Sequence, residues 1–204
     1  MQNKTISFLV IIFGLLAISA CRQQPQPANN APSPRDETSY KETGKEWRSF
    51  ALEETDIKVD LPGAPADRSA QVPIDYRNAF NTWHLYAYDD KDLSVAVLEL
   101  VPNGKRIWQM KDLPEVCMTA LKRGARGLNF TSDIKSETNA KYNGTFTRNG
   151  KIFDVRGCCV YKKGRDQRAW AVMTSSPQDN EDARSAAQRA IDSIVFKGSS
   201  EKCK

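Results

Sequence analysis

The chain of 204 residues contains a single histidine, His84, and lacks the short motifs that usually mark an active site. There is no G-x-S-x-G, no phosphate-binding loop and no H-E-x-x-H. A hydrolytic triad needs a nucleophile, a base and an orienting group. His84 lies instead in the aromatic run Trp83-His84-Leu85-Tyr86, which is typical of a half-exposed strand. The sequence therefore predicts that the protein is not an enzyme and that it has no cofactor.

Charge of one sign is also scarce, since 30 basic and 25 acidic residues leave a formal net charge of only +5. The basic residues are scattered, and no dense basic run with interleaved aromatic residues occurs. Such runs are the electrostatic footprint of nucleic-acid binding. We therefore expect no nucleic-acid partner.

No apolar run is long enough to span a bilayer as a helix, which takes roughly 20 residues. The longest run, residues 6–20, has about 15 residues and follows a polar start with one cation, Lys4. This length suits the apolar region of a secretory signal peptide, which ends in small residues at the cleavage site. Residues 1–20 are predicted to be such a signal peptide.

The residues at the end of this run, Ile18-Ser19-Ala20-Cys21, resemble the bacterial lipobox. The resemblance implies cleavage before Cys21, a diacylglycerol on its thiol and acylation of the new amine. Several acyl chains on one residue give stable anchoring in a lipid bilayer, which one chain does not. Arg22 follows where enteric bacteria use Asp for inner-membrane retention, which favours the outer membrane, facing the periplasm, in a Gram-negative organism. The alternative is an ordinary signal peptide followed by a chance cysteine.

The segment after Cys21 is rich in proline and polar residues and poor in large apolar ones. Such a composition cannot bury enough surface to offset ordering. Residues 21–46 are therefore predicted to be a disordered, lipidated tether with a reach of roughly 25–30 Å. Residues 47–197 suit one globular domain with one core, and residues 198–204 form a C-terminal tail.

The domain shows alternating strand patterns and two helical ones. Helices are expected at Asp112–Leu128, with Asp112 as the cap, and at Asp179–Ile191. Hairpins are expected around residues 89–92 and at Arg148-Asn149-Gly150. The predicted strands are Phe50–Leu52, Ile57–Leu61, Phe80–Tyr88, Leu93–Leu100, Thr145–Phe146, Lys151–Tyr161, Ala169–Thr174 and Ser193–Lys197. Strands joined by hairpins predict an α+β domain, with a central antiparallel sheet and two main helices packed on it.

Four features of the domain form a familiar pattern: the opening Phe50 to Pro65, with IKVDLPGAP, the mid-domain helix expected at Asp112–Leu128, the Tyr142-Asn143-Gly144 step before a hairpin, and the closing Ala187 to Phe196. Together they resemble the Mog1/PsbP-like α/β/α sandwich. The resemblance implies a central antiparallel sheet with helices packed on it. Members of this group have diverse roles, so the fold alone does not predict a function.

Four cysteines remain after Cys21: Cys117, Cys158, Cys159 and Cys203. An even number in an exported protein predicts disulfides. Strand alternation places Cys158 and Cys159 on opposite faces, and Cys117 lies on the apolar face of the first predicted helix. The favoured pairs are Cys117–Cys159 and Cys158–Cys203, and the swapped pairs are a close alternative. A metal or redox site is the other interpretation, although there is no C-x-x-C.

The sequence thus indicates a membrane-anchored envelope protein that works as a non-enzymatic binding or accessory module, with a protein partner. An envelope protein that binds a small ligand or a metal is the alternative. It would need a pocket lined by the aromatic residues or free thiols. The aromatic set comprises Trp83, Tyr86, Tyr88, Trp108 and Trp170, and most of it is expected to be core. Asp89, Asp90 and Asp92 could bind a cation weakly, although solvated charge is the simpler interpretation.

Overall fold

A computed structural model describes residues 41–42, 45–71, 80–102, 129–134, 136, 138–164 and 166–203 of the chain. The predicted signal peptide, Cys21, most of the tether, the first predicted helix with Cys117, and Trp108 lie outside these residues. The predictions made for them stay predictions.

Seven of the described strands form one antiparallel sheet. They are β5 (Ala66–Asp67), β6 (Phe80–Asp89), β7 (Ser94–Pro102), β8 (Asn129–Ile134), β9 (Asn139–Arg148), β10 (Lys151–Lys162) and β11 (Arg168–Pro177). Their order across the sheet is β5-β6-β7-β11-β10-β9-β8. Because β6–β7, β9–β10 and β10–β11 follow each other in the chain, short turns connect much of the sheet.

A second layer covers one face of this sheet. It consists of a three-stranded sheet in the order β12-β4-β3 and the helix α1 (Glu181–Ser193). Its strands are β3 (Arg48–Ala51), β4 (Ile57–Leu61) and β12 (Val195–Phe196). We call the covered side of the large sheet the helix face, and the other side the opposite face. Two further short strands, β1 (Lys41–Glu42) and β2 (Lys45–Glu46), pair inside the segment assigned to the tether.

Local sequence explains where α1 begins and which side it buries. The Asn180 side chain accepts a hydrogen bond from the Ala183 backbone N–H at 3.0 Å, which is the usual N-cap interaction. Glu181 and Asp182 occupy the first turn, where the helix dipole favours negative charge. The buried stripe consists of Ala183, Ala187, Ala190 and Ile191. The three alanines let the helix approach the sheet closely.

The main core lies between the two layers. It is formed by the apolar residues of β4, β7, β10 and β11 together with α1, β12 and the C-terminal Cys203. At its centre the indole of Trp170 stacks on Phe196, with ring centroids 4.8 Å apart. Both residues are fully buried, so the last strand is held against the middle of the sheet.

The predicted α+β class and the antiparallel sheet are confirmed. Of the two predicted helices, the described residues contain the second, which begins and ends two residues later than expected. β4 has its predicted bounds, and the expected hairpin occurs, with positive φ at Asn149 (50°) and Gly150 (76°). β5 and β8 were not predicted, and β9 begins six residues earlier than the expected strand.

Candidate functional site

The C-terminal tail is fixed to β10 by a disulfide between Cys158 and Cys203. Their Cα atoms are 5.5 Å apart, and the two residues are 0% and 8% exposed. Cys158 lies on the helix face beside Val172 of β11. This pair is one of the two favoured from the sequence.

Polar contacts hold the same tail to the start of β9. The Glu201 carboxylate accepts hydrogen bonds from Thr138 Oγ1 and Asn139 Nδ2, each at 3.2 Å. Asn139 Nδ2 also donates to the Lys202 carbonyl at 2.9 Å. The segment predicted as a C-terminal tail is therefore part of the folded domain up to Cys203.

Only one cysteine of the second favoured disulfide, Cys159, lies within the described residues. Cys159 is buried on the opposite face, as strand alternation predicted. Its predicted partner, Cys117, lies outside the described residues. The Cys117–Cys159 bond therefore stays a prediction, and the Cys21 lipidation site does so for the same reason.

A buried carboxylate that the sequence did not single out lies beside Trp170 at the core. Glu99 of β7 is 1% exposed on the helix face. Its Oε1 accepts hydrogen bonds from Trp170 Nε1 at 2.9 Å, from Arg168 Nη1 at 3.4 Å and from the Asp56 backbone N–H at 3.4 Å. These donors satisfy a charge that would otherwise be costly to bury.

The Glu99 cluster ties the turn between β3 and β4 to the large sheet. Arg168 forms a second ion pair with Asp56 at 2.5 Å, and the Tyr86 hydroxyl donates to the Glu53 carbonyl at 2.9 Å. Within the turn, Thr55 bonds back to Leu52, and Glu54 adopts a positive φ of 57°. The outcome is a rigid turn that presents the exposed side chains of Glu53 and Glu54.

His84 lies next to this cluster, since it faces Glu99 across the β6–β7 pair. It is partly buried, in agreement with the expected half-exposed strand position. The electrostatic effect of His84 is the smallest of the influences on the pKa of the Asp67 carboxyl. Hydrogen bonds from Ser69 are the main cause that lowers the pKa of Asp67, against a smaller effect of burial.

Hydrogen bonds within the β6–β7 turn account for its acidic residue Asp90. Asp90 Oδ1 accepts the backbone N–H groups of Asp92 and Leu93, each at 2.7 Å, and Oδ2 accepts the Tyr88 hydroxyl at 2.7 Å. Burial is the main cause that raises the pKa of Tyr88, and the Asp90 carboxylate adds to it. Burial also raises the pKa of Asp89, which a hydrogen bond with Ser94 partly counteracts. In the part of the chain that the structure describes, no three His, Cys, Asp or Glu side chains are placed to share a metal ion.

The aromatic set is mostly accounted for by packing. Trp170 is core, and Tyr86 and Tyr88 pack against the core from its edge. Trp83 is partly buried. Tyr86 and Tyr88 lie on the helix face of the large sheet, whereas Trp83 lies on the opposite face. These aromatic side chains therefore do not converge on one side of the sheet. Among the described helices, none has the length and apolar character needed to cross a bilayer.

Comparison with known proteins gives matches at the level of structure. No protein-family model matches the chain, and no curated protein matches its sequence. LpqN of Mycobacterium tuberculosis, described as involved in cell envelope biogenesis, is 13% identical with a TM-score of 0.41, over 67% of this chain and 86% of LpqN. The Ran-binding protein Mog1p of Saccharomyces cerevisiae is 11% identical with a TM-score of 0.41, over 74% of this chain and 95% of Mog1p.

A third match is PA94 of Pseudomonas aeruginosa, a protein of unknown function. It is 13% identical with a TM-score of 0.36, over 75% of this chain and 99% of PA94. Mog1p is the namesake of the group that the sequence resembles. At these TM-scores the backbones overlap only loosely.

Proposed function

We propose that the chain is an exported bacterial lipoprotein of the cell envelope, anchored through lipid on Cys21. Its folded domain acts as a non-enzymatic binding or accessory module for a protein partner. In a Gram-negative organism it sits on the outer membrane and faces the periplasm. The lipobox pattern at Ile18–Cys21 and the proline-rich tether after it motivate the anchor.

The single observation that carries this proposal is the disulfide between Cys158 and Cys203. Disulfides form and persist in oxidising compartments, whereas thiols are kept reduced in the cytosol. The bond is part of the core rather than an accessory on the surface, because Cys158 and Cys203 both belong to the buried core cluster. A fold that depends on such a bond suits export.

The way the domain joins its tether supports a binding role. The Trp47 side chain packs against the core, and the Arg189 guanidinium of α1 lies 4.3 Å from the centroid of its ring. The domain is therefore fixed at the residue where the tether is predicted to end. A compact unit on a flexible tether can sample orientations and contact a partner in the same membrane layer.

Fractionation of cells that express the full chain or Cys21→Ser tests the anchor. We expect the full chain in the membrane fraction, with an N-terminal peptide of the mature protein that carries the mass of the diacylglycerol. Cys21→Ser should lose that mass and leave the membrane fraction after detergent-free washing. Ser33→Ala in the predicted tether is the matched control, since it changes a small polar side chain without touching the anchor or the disulfide. An unmodified Cys21 in a membrane-bound chain would refute the proposal.

Crosslinking in the native envelope followed by pull-down tests the proposed binding of a protein partner. We expect the lipidated chain to form a reproducible crosslinked adduct with a partner protein. An excess of the same chain without a label should compete for that partner and remove the adduct. A co-purified small molecule in place of any protein adduct would favour the ligand-binding alternative. Turnover of a substrate by the purified chain would contradict the non-enzymatic role.

A further inference from the structure

Two arginines face the same gap between α1 and the large sheet. Arg156 lies on the helix face of β10, and its Nη1 donates a hydrogen bond to Gln188 Oε1 of α1 at 2.7 Å. Arg184 precedes Gln188 by one helical turn, so the two side chains share one flank of α1. This flank is therefore the one turned toward β10.

Neither guanidinium has a carboxylate partner within the described residues. Arg48 and Arg168 form ion pairs there, whereas Arg156 and Arg184 form none. Asp154 lies two residues before Arg156 on the same face of β10, yet it pairs with neither. Both arginines are partly buried, and the Nε of Arg184 is buried without a hydrogen-bond partner. A buried, unsatisfied donor on a charged group is costly.

The position of Arg184 adds to this cost. It lies just after the first turn of α1, and the helix dipole there disfavours a cation and favours an anion. Exposed Glu181 and Asp182 in the first turn offset part of this effect without bonding to Arg184. An anion bonded to Arg184 Nε and to the Arg156 guanidinium would supply the missing acceptor and balance the positive charge.

The helix face of the large sheet carries further polar groups beside the two arginines. Asn143 of β9 is the strand partner of Arg156, and Thr145 is the partner of Asp154. Asn143 is exposed, because α1 lies over β11 and leaves this outer part of the sheet open. Amide and hydroxyl groups next to paired guanidinium groups can complete the hydrogen bonds of a tetrahedral oxyanion.

We propose that Arg156 and Arg184 form a binding site for a phosphate group, with Gln188 positioning Arg156 and Asn143 at the open side. This inference rests on the proposed function and gives the binding module a ligand chemistry. The phosphate is a soluble ion or part of a lipid headgroup. Arginine suits the role because its planar fork binds phosphate oxygens in pairs, which lysine does not.

Titration of the full chain in neutral detergent micelles with inorganic phosphate, at constant ionic strength against chloride, tests the site. We expect saturable binding by calorimetry and shifts of the Arg156 and Arg184 Nε–H signals in a ¹H–¹⁵N spectrum. Arg156→Gln and Arg184→Gln should each weaken phosphate binding at least tenfold. Arg48→Gln, an exposed arginine on β3, is the matched control and should change the affinity less than twofold.

Mixed micelles distinguish the two sources of phosphate. Tighter binding to phosphatidylglycerol than to phosphatidylcholine micelles, lost in both variants, identifies a lipid headgroup. Binding of inorganic phosphate alone identifies a soluble ion. Shifts no larger with phosphate or phosphatidylglycerol than with chloride, or equal affinities in all three variants, would overturn the proposal. Circular dichroism of each variant confirms folding, and the Cys21 fractionation result stays independent of either outcome.

Discussion

The ring of Tyr142 on β9 lies across Gly157 of the neighbouring strand β10. Its hydroxyl donates a hydrogen bond to the Val172 carbonyl of β11, one strand further on. One side chain therefore links three strands on the opposite face of the large sheet. A Cβ added at Gly157 would overlap the Tyr142 ring, so this crossing requires glycine.

Gly157→Ala is expected to destabilise the domain by about 1–3 kcal/mol, the usual cost of overpacking a core. Urea unfolding, followed by circular dichroism, measures the loss. The control is the same change in a Tyr142→Ala background, where the clash is absent and the added cost of Gly157→Ala should be much smaller. Equal costs in both backgrounds would show that the ring and the glycine do not interact.

Removing the disulfide with Cys158→Ser and Cys203→Ser together is expected to cost about 4 kcal/mol. The bond joins residues separated by 45 positions, and the chain-entropy model gives roughly this value for such a loop. Urea unfolding with and without a reductant provides the measurement. The reductant should destabilise the native protein more than the double variant, in which Cys117 and Cys159 are the remaining pair.

A separate measurement addresses Cys117–Cys159. If that bond forms, Cys159→Ser should expose one new thiol, at Cys117, to a maleimide reagent under denaturing conditions. The unmodified protein should then show no reactive thiol among its four domain cysteines. A reactive thiol in the unmodified protein would contradict this second pair.

Replacing Glu99 with an apolar residue is expected to lower the free energy of unfolding more than replacing it with an amide. Glu99→Leu leaves Trp170 Nε1 and the Asp56 N–H without their acceptor and Arg168 with Asp56 as its remaining ion-pair partner, at a cost of about 3–5 kcal/mol. Glu99→Gln keeps an acceptor but loses the charge, at a cost of about 1–3 kcal/mol. Exposed Glu53→Gln is the control and should change the free energy of unfolding by less than about 0.5 kcal/mol. A similar cost for all three would indicate that the cluster contributes little.

The Asp67 carboxyl should make the free energy of unfolding depend on pH in the acidic range. Hydrogen bonds from Ser69 lower its pKa below the ordinary 3.8, so its contribution is present above the pKa of the unfolded chain and is lost as the pH falls through the lower, folded value. Asp67→Asn should therefore be less stable than the native protein at pH 7, and the difference should shrink below roughly pH 4. Because Asp67 is exposed, we expect less than about 1 kcal/mol. A difference that is constant between pH 7 and pH 3 would exclude the carboxylate as its cause.

The sequence predicted those elements whose signals are local. β4 alternates apolar and polar residues over its whole length, and Asn149-Gly150 can adopt the positive φ values of a tight hairpin. β8 was missed because it is a polar edge strand, Asn129–Ile134, that directly follows a segment with a helical pattern. Edge strands have neighbours on one side only, so their sequences are less constrained.

The site residues depend on contacts that no local pattern encodes. Glu99 sits in the apolar run of β7, and its main donor, Trp170, is 71 residues away. Arg156 and Gln188 are separated by 32 residues and meet only because α1 packs across the sheet. By contrast, the two faces of Cys158 and Cys159 follow from strand alternation, which is why the Cys158–Cys203 pair could be favoured beforehand.

The contact between Trp47 and Arg189 should hold the first residue of the domain in place. Arg189→Gln removes the cation above the ring and is expected to cost about 0.5–1 kcal/mol. Trp47→Ala also removes apolar area packed on the core and should cost more, about 3 kcal/mol. In Trp47→Ala, the additional change Arg189→Gln should cost less than it does in the native protein, since the cation–π contact is already absent. Chemical denaturation of the four proteins closes this cycle, and full additivity of the two changes would show that the guanidinium does not stabilise the ring.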